Sequence, residues 1–234
     1  MTKEKLSDFR SSVNEGALRE LAIILDKNEK MPRDPDMVYL VGQTKENQEP
    51  VLTRASEFSG VPIGLVGDDG TMASGFPGFS AWKHELEAKG VPASSIVGIP
   101  GAFSVDPADG MLKGNTRTEA QALVRYAKEH GFKKILIVAK RWHLTRAFMT
   151  VVTVLLEEYP ELRVYAKSGD DTGVSWFQQT VHSQGTEKGR QIDIIKSERK
   201  RISKYHMIGH LVSPEKVLEY LEWRDRASEA DKVL

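Results

Sequence analysis

Residues 114–147 read GNTRTEAQALVRYAKEHGFKKILIVAKRWHLTRA. Ala120, Leu123, Val124 and Ala127 stand at i, i+3, i+4 and i+7, the spacing of one helix face, so a helix is predicted over residues 116–130 with Gly131 as its stop. The apolar run 135–139 follows at once. Its lack of alternation predicts a strand buried on both faces, as strands of a parallel sheet are. Residues 144–159, apolar nearly all round, read as a core helix.

The same alternation extends outward in both directions. Strands are predicted at 37–41, 62–66, 95–99 and 162–166, and helices at 50–59 and 79–89, the latter ended by Gly90-Val91-Pro92. Right-handed crossovers place such helices on both faces of a sheet. The expectation is therefore an α/β chain with a Rossmann-like three-layer α/β/α fold and a mainly parallel sheet of about five strands.

The whole chain, 1–234, reads as one domain with appendages. An N-terminal helical arm fills residues 1–30, with Leu6, Phe9, Val13, Ala17, Leu21, Ile24 and Leu25 near helical period and Gly16 as a break. The core spans 36–166. The loop 100–114, about 15 residues, is long enough to suggest a functional role. Beyond it, the C-terminal helical extension, 167–234, is expected to hold a partly helical flap at 168–189, a basic helix at 191–204, a last strand at 206–212 and a helix opening at Ser213-Pro214.

Composition narrows the function. Thirty-three basic residues balance 33 acidic ones, so the net field that draws proteins to nucleic acid or acidic membrane is missing. With no cysteine there are no disulfides, thiolate nucleophiles or Cys-based metal sites. The N-terminus has no apolar leader and no stretch is long enough to span a bilayer, so a cytoplasmic protein without membrane partners is expected. There is no G-x-G-x-x-G after the first strand, no Walker A loop and no G-x-S-x-G elbow.

Three groups of residues mark a candidate site at the carboxyl ends of the strands, where open α/β sheets bind small molecules. Lys140, Arg141, His143 and Arg146 crowd a helix start, where positive charge opposes the helix dipole and a nearby anion would relieve the conflict. The plainer expectation is an ion pair between Arg146 and Asp68 or Asp69. Gly67-Asp68-Asp69-Gly70 follows a strand, and its carboxylates suit a sugar hydroxyl, an amine or a cation, although Asp-Gly turns are common. Asn115 and the amides beside it could hold a phosphate or carboxylate, whereas Thr116 with Glu119 also reads as a simple capping box. A second pair, Asp170-Asp171, raises a divalent metal, but no clustered histidines accompany it and no metal is expected. Trp176 and Phe177 read as packing.

With these residues in view, the chain resembles the YdcF-like family, to which SanA and ElyC are related. The resemblance runs from about residue 36 to 166 and rests on Asn115-Thr116-Arg117-Thr118-Glu119-Ala120 and Trp142-His143-Leu144-Thr145-Arg146-Ala147, with the turn Gly67-Asp68-Asp69-Gly70 and the segment from Gly90-Val91-Pro92 to Ile96. It implies a Rossmann-like fold with a polar pocket built on Gly67 to Gly70, Asn115, Thr116, Glu119, His143 and Arg146. It also implies a nucleotide-like ligand, S-adenosylmethionine among the candidates, in a family mostly without assigned activity. In the family the glycine turn is Ser-Gly-Gly, and a second Asn stands where this chain has Thr118.

The combined expectation is an anionic or nucleotide-like small molecule held by Lys140, Arg146 and the amides near Asn115. Asp68 or Asp69 would meet its sugar or amine end, and His143 would act as general acid or base in a transfer or hydrolysis. Two alternatives stay open: a non-catalytic binding or sensing module, and RNA binding through Lys196, Arg199, Lys200, Arg201 and Lys204, a run that otherwise reads as a solvated helix face.

Overall fold

The computed structural model describes residues 13–27, 30–32, 34–58, 60–69, 75–105, 112–170, 175–182 and 187–230. Helix α1 (Glu15–Lys27) leads into β1 (Met37–Leu40), followed by α2 (Gln48–Ser56), β2 (Ile63–Val66), α3 (Phe79–Ala88) and β3 (Ile96–Ile99). A hairpin, β4 (Phe103–Val105) and β5 (Leu112–Gly114), precedes α4 (Thr116–Glu129), β6 (Lys134–Ala139), α5 (Arg141–Glu158) and β7 (Arg163–Ser168). A second hairpin, β8 (Gln179–His182) and β9 (Glu187–Arg190), then leads to α6 (Gln191–Met207) and α7 (Pro214–Ala230).

Five strands form one parallel sheet in the order β3-β2-β1-β6-β7. All four residues of β1 and of β2 are buried, as are five of the six in β6, which is why these strands lack polar alternation. Helices α2 and α3 pack together on one side. On the other, α4 lies along α5, while α1, α6 and α7 pack on α5 in turn. This is the expected Rossmann-like three-layer arrangement.

The chain leaves β1 outward through β2 and β3, then returns to lay β6 on the opposite side of β1. That reversal opens a crevice above the carboxyl ends of β1 and β6, the place where such sheets bind ligands. Helix α4 spans the reversal and ends in a Schellman motif. Gly131, at φ 68°, donates to the Lys128 carbonyl, and the Phe132 amide reaches back to that of Ala127.

Helix α7 closes the far side. Ser213 caps it by accepting from the Lys216 amide at 3.3 Å. The buried Tyr220 hydroxyl donates to the Leu162 carbonyl at 2.9 Å and accepts from the Val164 amide at 2.7 Å, and Arg224 donates to the Val164 carbonyl at 3.0 Å.

The departures from expectation lie outside the sheet. The predicted loop 100–114 carries the β4–β5 hairpin, whose strands of three residues are too short to show a period. The predicted flap 168–189 carries β8, and β9 pairs with it antiparallel. Instead of a strand at 206–212, α6 runs on to Met207 and turns follow. Helix α1 starts at Glu15, with Gly16 in its first turn, and residues 3–12 of the predicted arm lie outside the described residues. Helix α5 starts at Arg141, three residues before the predicted start, so Lys140 is its N-cap. Among the described residues no helix is long and apolar enough to cross a membrane.

Candidate functional site

The crevice is a cavity of about 590 Å3, with its floor in Gly42 and Val66 beyond β1 and on β2. Asn115, Thr116 and Glu119 from the start of α4 and His143 and Arg146 from the start of α5 line it together. Phe103 of β4 and Tyr205 and Arg201 of α6 complete the wall, so the hairpin and the extension both enclose the site.

Asn115 is the N-cap of α4. Its Oδ1 accepts from the amides of Arg117 at 2.9 Å and Thr118 at 3.1 Å, and the Thr118 hydroxyl accepts from the Asn115 amide at 3.0 Å. The capping box is therefore Asn115 with Thr118, one residue earlier than the Thr116–Glu119 box the sequence suggests. Asn115 is extended, at φ −146°, and its carboxamide does the capping that was assigned to the Thr116 hydroxyl.

Glu119 is thereby released to face the sheet. Its Oε1 accepts from the Gly42 amide at 2.7 Å and from the Tyr39 hydroxyl at 3.0 Å. Burial raises its pKa to about 7, against the opposing pull of those two donors and of the Arg146 charge. Burial also lifts Tyr39 well above the ordinary phenol value, with the Glu119 charge adding to it. A carboxyl group balanced between its two protonation states near neutral pH, in a cavity, is suited to proton transfer.

The second cluster joins α5 to α6. Glu198 is 2% exposed, and its Oε2 lies 2.7 Å from Arg146 Nε and 2.9 Å from His143 Nδ1. Arg146 Nη2 also lies 3.1 Å from His143 Nδ1, and its Nη1 donates to the Thr116 hydroxyl at 2.9 Å. Nδ1 cannot both donate to the Glu198 carboxylate and accept from the Arg146 guanidinium, and the shorter distance to the carboxylate assigns Nδ1 as donor to Glu198. A histidine oriented by a carboxylate through Nδ1 is a familiar acid/base arrangement.

Asn47 and Thr44, both buried, fasten the second hairpin over the end of β1. Asn47 Nδ2 donates to Thr44 Oγ1 at 3.0 Å and to the Val181 carbonyl, and the Thr180 hydroxyl donates to Asn47 Oδ1.

Of the residues expected from sequence, Asn115, Thr116, Glu119, His143 and Arg146 come together. Lys140 is buried at the N-cap of α5 and does not line the cavity. Gly67 serves the sheet: a Cβ there would stand 3.0 Å from backbone atoms of Gly98 and Ile99. Asp69 binds the Ser80 amide at 2.7 Å and hydroxyl at 2.8 Å at the start of α3, which lowers its pKa. Asp68 has a buried Oδ2 without a hydrogen-bond partner among the described residues, and burial raises its pKa. Neither aspartate pairs with Arg146, whose partner is Glu198. Gly70 and Asp171 lie outside the described residues.

Sequence reading overlooked Tyr39, Glu198 and Tyr205, and placed Arg201 in the basic run rather than at the cavity. Glu198 carried a signal, since it stands at i+4 from Ile194 and i−4 from Ile202, a carboxylate within a buried stripe. Of the basic run, Lys196, Arg199, Lys200 and Lys204 are exposed, while Arg201 turns to the cavity and pairs with Glu187 at 3.1 Å. Phe177 is 66% exposed, against the expectation of packing, and Trp176 lies under the Arg141 guanidinium at 5.3 Å. Among the described residues no group of three or more His, Asp or Glu is placed to hold a metal ion. No known family model and no curated protein matches the chain.

Proposed function

We propose that this chain is a YdcF-like protein, working in the cytoplasm, that binds a nucleotide-like small molecule in the cavity at the sheet reversal and transfers protons to or from it in a transfer or hydrolysis reaction. The observation that carries the reading is the convergence of Glu119 and the Glu198-oriented His143 on one cavity at the topological switch point. Aromatic walls from Phe76, Phe103, Trp142 and Tyr205 favour a ligand with a planar ring, and the polar side chains around them favour one with several hydrogen-bonding groups. Glu119, with a pKa of about 7, joins His143 as an acid/base group.

Thermal unfolding in the presence of nucleosides, nucleotides and S-adenosylmethionine tests the reading. A ligand at about 100 times its Kd adds about 2.7 kcal/mol of stability, a shift of roughly 5 to 10 °C for a chain of this size. The shift is expected to shrink in Phe103→Ala and in Glu119→Gln. A panel that leaves the melting temperature unmoved, or a shift both variants retain, sinks the proposal. Release of a product from the stabilising ligand separates an enzyme from a binding module.

A further inference from the structure

The cavity's charges bear on which part of a nucleotide it can hold. Three guanidinium groups reach its wall, and each is paired with a carboxylate, Glu198 being shared with His143 and, at 3.9 Å, with Arg201. Arg117 pairs with Glu157 at 2.8 Å, Arg146 with Glu198 at 2.7 Å and Arg201 with Glu187 at 3.1 Å. These pairs cancel formally. The amides of Arg117 and Thr118, which an anion at the start of α4 would seek, are already bound by Asn115 Oδ1. Glu119 can add only negative charge.

A phosphate group carrying nearly two charges would therefore have to part a guanidinium from its carboxylate or sit uncompensated beside Glu119. A ligand rich in hydroxyl donors meets no such conflict. Glu119 Oε1 is occupied by the Gly42 amide and the Tyr39 hydroxyl, whereas Oε2 accepts no hydrogen bond among the described residues. From these observations we infer that the cavity takes a nucleoside-type ligand without phosphate, and that Glu119 is the residue that sets this preference by accepting from a ligand hydroxyl and repelling an anion. The inference rests on the nucleotide-like reading above and narrows it.

Calorimetric titration with adenosine and cytidine, each beside its 5′-monophosphate at one ionic strength and at about pH 8.5, where Glu119 with its pKa of about 7 is ionised, tests the inference. The nucleoside is expected to bind about tenfold or more tightly than its monophosphate, the ratio that about 1.4 kcal/mol of differential interaction produces. Glu119→Gln keeps the side chain's shape but removes its charge, and should cut that ratio at least by half. Glu119→Asp keeps the charge and should preserve the preference. Melting curves of both variants establish that they are folded. A monophosphate that binds as tightly as its nucleoside overturns the inference while leaving the cavity-binding reading intact, and an unchanged ratio in a folded Glu119→Gln removes Glu119 as its cause. No binding of either nucleosides or monophosphates removes the nucleotide-like reading and this inference with it.

Discussion

Glu198 Oε2 stands 2.7 Å from Arg146 Nε, so the C-terminal extension is tied to the core through a buried ion pair. Side-chain exposures of 3% and 8% leave neither group a hydrated alternative. Removing one partner strands the other charge, at a cost of about 3–5 kcal/mol. Glu198→Ala is expected to lose about that much in urea unfolding, and Arg146→Met combined with Glu198→Leu to lose much less. Equal losses in the single and double variants would show that the pair does not hold the extension.

Glu119 makes stability depend on pH in an unusual direction for a carboxyl group. Its folded pKa of about 7 lies above the ordinary 4.5, so between those values the native state binds more protons than the unfolded chain. Its contribution is therefore fully present below about pH 4.5 and is lost as pH rises through about 7. Glu119→Gln removes the dependence. The stability of the wild type relative to this variant should fall between about pH 5 and about pH 8 in paired urea titrations; a difference constant with pH would refute the assignment.

Asn115 acts first as a cap. Asn115→Ala frees the amides of Arg117 and Thr118, and a cost of about 1 kcal/mol is expected, or about 2–4 °C in melting temperature. Asn115→Asp should keep most of the stability, because a carboxylate accepts from the same amides and favours the helix N-terminus. If Asn115→Ala melts with the wild type, the capping role is wrong.

Gly67 is the tight point between β2 and β3. A Cβ there meets backbone of Gly98 and Ile99, which has no rotamer to yield, so Gly67→Ala should cost about 1–3 kcal/mol. Gly60→Ala, where nothing lies within 4 Å, is the control and should be near neutral. Equal melting temperatures for the two variants would contradict the packing.

The parallel sheet was legible because its strands are buried on both faces and read as unbroken apolar runs, as in residues 135–139. The hairpins were not. β9 is Glu-Lys-Gly-Arg, with half-buried and exposed residues in alternation but no apolar side chain to mark its inner face. Half of the site could be read from the two segments flanking β6, because a polar cluster at a strand end needs only local sequence to be noticed. Arg201 and Tyr205 reach the cavity, and Glu198 reaches His143, from a helix more than 50 residues further along than His143, and only the packing of α6 on α5 brings them there. Asp68 and Asp69 were expected at the cavity and Glu119 takes that place, since the length of the turn after β2 does not show which way its carboxylates face.

The contacts that Tyr220 and Arg224 make with Leu162 and Val164 do more than seat α7. β7 is the last strand of the sheet, and an open strand is a template on which a second chain can build. Here the amide and carbonyl of Val164, turned away from β6, are already taken by a phenol and a guanidinium. The final helix thus seals part of that border of the sheet against self-association, and a chain truncated before α7 would expose it as an adhesive edge.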